Sequence, residues 1–412
     1  MASVAVIGYG TAGVNAVIGL RNAGYDGEVR VFSDLDTLPY SPILTSYYAG
    51  GEKEYAECFP WSAEELDELN VTLVKEPVTG LDTAAHLIRT AAGEYAYDKC
   101  VIATGATPTC VGFPPVEDGD YEPLVLRSMK DAERLRSVLL DPSCERVLVS
   151  GASMVALKTL EACLNRGKRV TLVGMMPHVL DMNALPQAAE RFERGLREKG
   201  VELRLGQTIK GVKRLNDAEG ERAGLEVTFS NGEVDTFDEI SVSHGMRCNL
   251  DFLEPGELAG NRALEVDEFM RTSAPDVYAA GDVAQGTELI SGQKRVVGIW
   301  KNAALQGACA GAAIAAELAG EQPPAECALC GSISTNTIAV NGTLFISAGT
   351  IEVTETRRVE VRETDDTTVV YLWEGERLVG FNLVCDHDEE GSPAYDTGAM
   401  LTMRVEKDAR LR

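Results

Sequence analysis

Two glycine-rich turns, each set between an apolar strand and an apolar helix, constrain this 412-residue chain more than any other feature. Val4-Ala5-Val6-Ile7 runs into Gly8-Tyr9-Gly10-Thr11-Ala12-Gly13, and Arg146-Val147-Leu148-Val149-Ser150 runs into Gly151-Ala152-Ser153-Met154-Val155-Ala156. Glycine lets the backbone approach a pyrophosphate closely, and the helix that follows supplies free N–H groups and partial positive charge. Two such units predict two dinucleotide sites, with electrons passing from one nucleotide to the other.

The rest of the first unit reads in order. Val14 to Leu20 continues as a helix that stops near Gly24, and Glu28-Val29-Arg30-Val31-Phe32 is the second strand. Ser33 and Asp34 follow it, about 20 residues past the turn, where an acid holds a ribose hydroxyl. The second unit departs from this plan. Ala156 is acceptable as the third small residue of its turn, but the next strand, Arg169–Val173, runs into Gly174-Met175-Met176-Pro177-His178. That stretch holds neither the acid that reads a ribose diol nor an arginine for a 2′-phosphate. Gln187 to Lys199 reads as an amphipathic helix closed by Gly200, followed by the strand Val201–Leu205.

Length allows two or three domains. A net charge of −26 argues against nucleic acid as a partner, since phosphates repel an acidic surface. The chain enters a strand within its first residues, and Ala308–Ala319 is too short to span a bilayer. Neither a signal peptide nor membrane insertion is therefore expected. Ten cysteines without a secretory signal point to a reducing, cytoplasmic setting.

Two later segments carry a family likeness. Val101-Ile102-Ala103-Thr104-Gly105-Ala106-Thr107-Pro108 is a strand ending in small residues, and Val277-Tyr278-Ala279-Ala280-Gly281-Asp282 is a strand ending on Gly-Asp. With the two glycine turns, these make the chain resemble the pyridine nucleotide-disulfide oxidoreductase superfamily. The resemblance implies an α/β fold, with two Rossmann-like domains of glutathione reductase type and a C-terminal α+β domain. It implies an FAD domain in residues 1–120 and 251–322, a nicotinamide domain inserted at 121–250, and an interface domain at 323–412. FAD would be held by Gly8, Gly10, Thr11, Ala12, Gly13, Ser33 and Asp34 from the first unit. Pro42, Ala103, Thr104, Gly105, Gly281 and Ala303 would complete that site, with Asp282 on the ribityl chain. Gly151, Ser153 and Ala156 would hold NAD(H) or NADP(H). Lys158 stands two residues past the second turn, where relatives usually have Glu close to the reacting atoms. The likeness casts it as the catalytic residue, and a helix-surface lysine is the alternative. The helix opening at Trp300-Lys301-Asn302 would aim its N-terminus at the flavin pyrimidine ring.

The redox cysteine of many relatives is missing. Coenzyme A-disulfide reductases and NADH oxidases carry one in a stretch resembling Tyr-x-Pro-Cys-x-x-Pro-Tyr. Here Tyr40-Ser41-Pro42-Ile43-Leu44-Thr45-Ser46-Tyr47 aligns with it and places Ile43 at the cysteine position. An alkyl group neither attacks a disulfide nor forms a sulfenate. The pattern is thus similar to the NADH:rubredoxin and ferredoxin reductase branch, although Ser41 and Ser46 stand where those enzymes often have Arg and Lys. It implies a rubredoxin, ferredoxin or iron-sulfur subunit as acceptor, or a small molecule, and a homodimer or complex subunit as the assembly. The competing reading is an FAD-bearing subunit of a larger complex with a vestigial second site.

The other cysteines read as structural. Cys58, Cys100, Cys110, Cys144, Cys163 and Cys309 lie in or beside apolar runs, as core residues do. Cys327-Ala328-Leu329-Cys330 is a single CxxC without a second pair, and His86, His178, His244 and His387 form no ligand spacing, so no metal is expected. After Pro323-Pro324 the composition turns to β-branched strands, with a hairpin predicted from Thr367–Trp373 and Arg377–Leu383 around Glu374-Gly375-Glu376.

Overall fold

The computed structural model describes residues 2–215, 224–260, 262–386 and 392–411, which leaves His387 outside the described residues. The chain divides into two units. The first comprises Met1–Ser41, Ala56–Thr107 and Met246–Ile333, and the second Pro42–Tyr55, Pro108–Gly245 and Ser334–Arg412.

In the first unit, short apolar runs form a five-stranded parallel sheet. Its order is Val277–Ala279, Lys99–Ile102, Val4–Ile7, Val29–Phe32, Thr72–Val74. Val4–Ile7 is buried on both faces, which explains why its sequence does not alternate. Strand order reverses at Val4–Ile7, so the crevice at its carboxyl end is where such a sheet takes ligands. The helix Thr11–Asn22 leaves from that point and packs along Trp300–Leu318 through small residues. A Cβ added at Gly19, Gly307 or Gly311 would collide with the carbonyl oxygens of Ala308, Ala12 and Ala16 respectively. The two backbones therefore touch, and the alanine- and glycine-rich character of Trp300–Leu318 is what that contact requires.

The second unit repeats the plan. Its parallel sheet runs Glu202–Leu205, Arg169–Gly174, Arg146–Ser150, Glu239–Val242. The predicted amphipathic helix is Pro186–Glu198; Ala188, Phe192 and Leu196 are buried on its inner face, and Gly200 past its end takes φ +82°. A short antiparallel meander stands between the third and fourth parallel strands of each unit: Gly80–Asp82, Leu87–Arg89, Glu94–Ala96 in the first. Ile209–Arg214, Leu225–Phe229, Val234–Phe237 occupy the same place in the second.

The second unit also holds a five-stranded antiparallel sheet, ordered Thr335–Val340, Thr343–Gly349, Arg377–Cys385, Thr367–Glu374, Arg357–Glu363, with the helix Pro393–Ala409 packed on it. The predicted hairpin is there, its turn carrying Gly375 at φ +62°. The helix Leu44–Gly50, just past Ile43, packs on Met129–Leu140 and Met154–Asn165.

Candidate active site

Hydrogen bonds define the first glycine turn. Gly8 N–H donates to the Phe32 carbonyl at 2.8 Å and Ala103 N–H to the Ile7 carbonyl at 2.8 Å. Gly8 takes φ +101°, and a Cβ there would overlap the Ala103 carbonyl. Gly13 is fixed in the same way, by the Gly8 carbonyl. Gly10 differs: no atom lies within 4 Å of where its Cβ would stand. It is also the N-cap of Thr11–Asn22, and no side chain caps that helix. An uncapped helix start facing open space through a glycine is a cradle of the kind a pyrophosphate occupies.

Other first-unit candidates gather around this turn. A Cβ on Gly281 would stand 3.0 Å from Ala12 Cβ and 3.8 Å from Ala303 Cβ, so the three positions converge. The Gly281 amide donates to Gln306 Oε1 at 2.8 Å, anchoring the Gly-Asp turn to Trp300–Leu318, whose own N-terminus also lacks a side-chain cap. Thr104 Oγ1 donates to the Asn249 carbonyl at 2.7 Å, and Asn249 Nδ2 returns a bond to the Thr104 carbonyl at 2.9 Å. Asn249 thus clamps the turn that carries Thr104 and Gly105. It is a site residue that sequence reasoning missed, because its partner lies 145 positions away. Asp34 is exposed just past the strand, and Ser33 Oγ accepts the Leu35 amide. Pro42 and Ile43 belong to the second unit, and Ile43 is 55% exposed.

The second turn reproduces the first bond for bond. Gly151 N–H donates to the Val173 carbonyl and Ser243 N–H to the Ser150 carbonyl, each at 2.8 Å. Gly151 takes φ +120°, and its Cβ would come 2.5 Å from the Ser243 carbonyl oxygen. Gly8 therefore matches Gly151, Gly10 matches Ser153, and Thr104 matches His244. The differences matter. Ser153 Oγ accepts its own helix's Ala156 amide at 3.5 Å, so one of the donors left free in the first turn has a partner here. His244 Nδ1 lies 2.9 Å from the Val111 carbonyl and Nε2 lies 2.8 Å from Ser150 Oγ. A carbonyl demands a donor, so Nδ1 carries the proton and Nε2 accepts from Ser150. Burial holds the His244 pKa below its usual value, keeping the ring neutral.

Lys158 is not a surface lysine. Its side chain is 16% exposed, its ammonium pairs with Glu161, and it lies 3.9 Å from the centroid of the Tyr47 ring. Glu161 in turn accepts the Asn341 amide at 3.1 Å. Burial alone would lower the lysine pKa, but the Glu161 carboxylate outweighs it and holds the ammonium charged. Burial pushes the Glu161 carboxyl up.

Cys110 corrects the sequence reading: it is exposed rather than a core residue, because it sits in a turn after Pro108. Cys58, Cys100, Cys144, Cys163 and Cys309 are buried as expected. Burial raises the thiol pKa at Cys100, Cys110, Cys163, Cys248 and Cys309. None of these five is poised as a thiolate. Among the described residues no group of His, Cys, Asp and Glu could hold a metal, and no helix is long and apolar enough to cross a membrane.

Two glycine-turn nucleotide folds, the first with a bare phosphate cradle, define a two-dinucleotide flavoprotein. Residues 2–307 match the family model described as pyridine nucleotide-disulphide oxidoreductase, and the chain belongs to that family. It is an FAD-dependent oxidoreductase that uses NAD(H). The rubredoxin-NAD(+) reductase of Ectopseudomonas oleovorans is 32% identical over 290 residues, covering 68% of this chain and 72% of the relative. The NADH-dependent phenylglyoxylate dehydrogenase subunit epsilon of Aromatoleum evansii is 27% identical over 369 residues, covering 89% and 83%. Among solved structures, the water-forming NADH oxidase of Lactobacillus brevis bound to NADH has a TM-score of 0.84 at 22% identity. That match covers 98% of this chain and 91% of the other.

Proposed function

We propose that this chain passes electrons from NADH through FAD to a separate redox protein, without a cysteine relay. The observation that carries it is Ile43, an exposed alkyl side chain at the position where the disulfide-reducing pattern has its cysteine. The raised thiol pKa values elsewhere agree. The relative named as a rubredoxin-NAD(+) reductase supports the class of acceptor.

In this reading the FAD domain is residues 1–120 and 251–322, the nicotinamide domain 121–250 and the interface domain 323–412. FAD held by these residues would supply the coupling between a two-electron hydride donor and a one-electron acceptor. The chain's own residues do the rest. The free amides at Gly10 to Gly13 hold the pyrophosphate, Ser33 and Asp34 the ribose, and Asp282 the ribityl hydroxyls by charge-assisted bonds. Ala103, Thr104, Gly105, Gly281 and Ala303 give close backbone approach. Gly151, Ser153 and Ala156 hold NADH. Lys158, with its ammonium committed to Glu161, acts on the reacting atoms only as a fixed positive charge.

The test is NADH-driven reduction of a rubredoxin or ferredoxin before and after alkylation with iodoacetamide, which reaches the exposed Cys110 and Cys330. Unchanged turnover supports the reading, and loss of turnover on alkylation removes the non-thiol route. A second reading, an electron-transfer subunit of a larger enzyme, is favoured by the relative that covers 89% of the chain, itself named as a subunit. Co-purification with a stoichiometric partner complex, together with a flavin that reacts only inside it, would select that reading.

A further inference from the structure

The bond-for-bond match between the two turns fixes which residues of the second one stand at the ribose-reading position. Because Gly151 N–H bonds to Val173 as Gly8 N–H bonds to Phe32, Gly174 stands where Ser33 stands and Met175 where Asp34 stands. In the first unit this pair includes Asp34, the acid proposed to read an adenosine ribose; in the second it supplies a glycine and a thioether. An acid in place of Gly174 would require the neighbouring side chains to give by a few tenths of an ångström. A Cβ there would stand 3.0 Å from Ala152 Cβ and 3.4 Å from Leu205 Cδ2. Met175 is 70% exposed, so its side chain is available to solvent and to a ligand.

The segment beyond offers no substitute. Residues 174–185 contain no Lys or Arg, and His178 Nδ1 is committed to Glu193 at 3.1 Å. Asp181 is the one acid there. It follows Leu180, whose amide is tied to the Ala152 carbonyl at 2.8 Å.

We infer that the second site leaves the adenosine 2′ position unread and takes NADH and NADPH with similar affinity, and that Met175 is the position that would set the preference. A carboxylate would favour the 2′-hydroxyl and repel a 2′-phosphate, and a guanidinium would do the reverse. A thioether makes neither interaction.

The inference rests on the NADH-oxidoreductase reading, and binding measurements separate the two. NAD+ and NADP+ are titrated calorimetrically into the purified holoprotein. The two dissociation constants should agree within about five-fold, less than one charge-assisted hydrogen bond would produce. Met175→Asp should shift the ratio toward NAD+ by about ten-fold or more, and Met175→Arg toward NADP+ by a similar factor. Asp181→Asn should leave the ratio where it is. A wild-type preference above about five-fold, a ratio unmoved by both Met175 variants, or a preference that depends on Asp181 would each overturn the inference while leaving the oxidoreductase reading intact. Failure to bind either nucleotide would overturn both.

Discussion

Two glycines two residues apart should respond to substitution in opposite ways. At Gly10 no atom lies within 4 Å of an added Cβ, and φ is −81°, which any residue tolerates. Gly10→Val should therefore fold with a stability change within about 0.5 kcal/mol, as at other unconstrained positions. The side chain would fill the cradle instead. Each hydrogen bond from a helix-terminal amide to a charged phosphate contributes about 1.5–3 kcal/mol, so losing one weakens FAD roughly 10- to 150-fold. Gly8→Ala is the reverse case. Its φ of +101° and its overlap with the Ala103 carbonyl make the turn itself untenable. That variant should be destabilised by at least about 1–3 kcal/mol before any cofactor is considered. The assay pairs thermal unfolding of the FAD-free protein with FAD titration by flavin fluorescence. A Gly10→Val protein that binds FAD as the parent does would refute the assignment of the cradle, and a Gly8→Ala protein of parental stability would refute the packing argument.

Lys158→Met should cost about 3–5 kcal/mol, because it strands the buried Glu161 carboxylate; pairing it with Glu161→Leu should recover most of the loss in a denaturant midpoint. An unperturbed single variant would mean that the pair is not formed. His244 is held neutral in the folded chain, so the unfolded chain binds its proton first as pH drops. Stability from this group is complete above about pH 6.5 and is lost as pH falls below it. The thermal midpoint of His244→Gln should lack that component, and identical pH profiles would count against the buried ring. Gly307→Val drives a side chain into the Ala12 carbonyl and should lower the melting temperature by the equivalent of about 1–3 kcal/mol or more, with flavin lost at a lower temperature than in the parent.

Much of the architecture is legible in the residue order, for identifiable reasons. A buried parallel strand followed by glycine has few alternatives, so both nucleotide folds, the Gly-Asp turn and the Thr367–Cys385 hairpin can be placed from local pattern alone. Contacts between distant segments cannot. Glu161 lies one helical turn from Lys158 and could have been paired with it, but Tyr47 and Asn341 are far away in sequence, and they are what turn a helix lysine into an interior one. The Asn249 clamp on Thr104 and the Ser150–His244 bond are likewise long-range. Cys110 misled because apolar neighbours mark a core residue only when the backbone runs straight through, and here it turns. The correspondence of Asp34 with Met175 is already implied by the strand ends at Phe32 and Val173, and the matching bonds of the Gly8 and Gly151 amides fix it.

Anaerobic titration of the purified protein with NADH bears most directly on the central claim. The protein should be yellow, should bleach with about one equivalent of NADH in keeping with a single hydride-accepting site, and should recover its colour on adding an oxidised one-electron redox protein. A colourless protein that takes up no FAD, or a yellow one that NADH leaves unchanged, would contradict it.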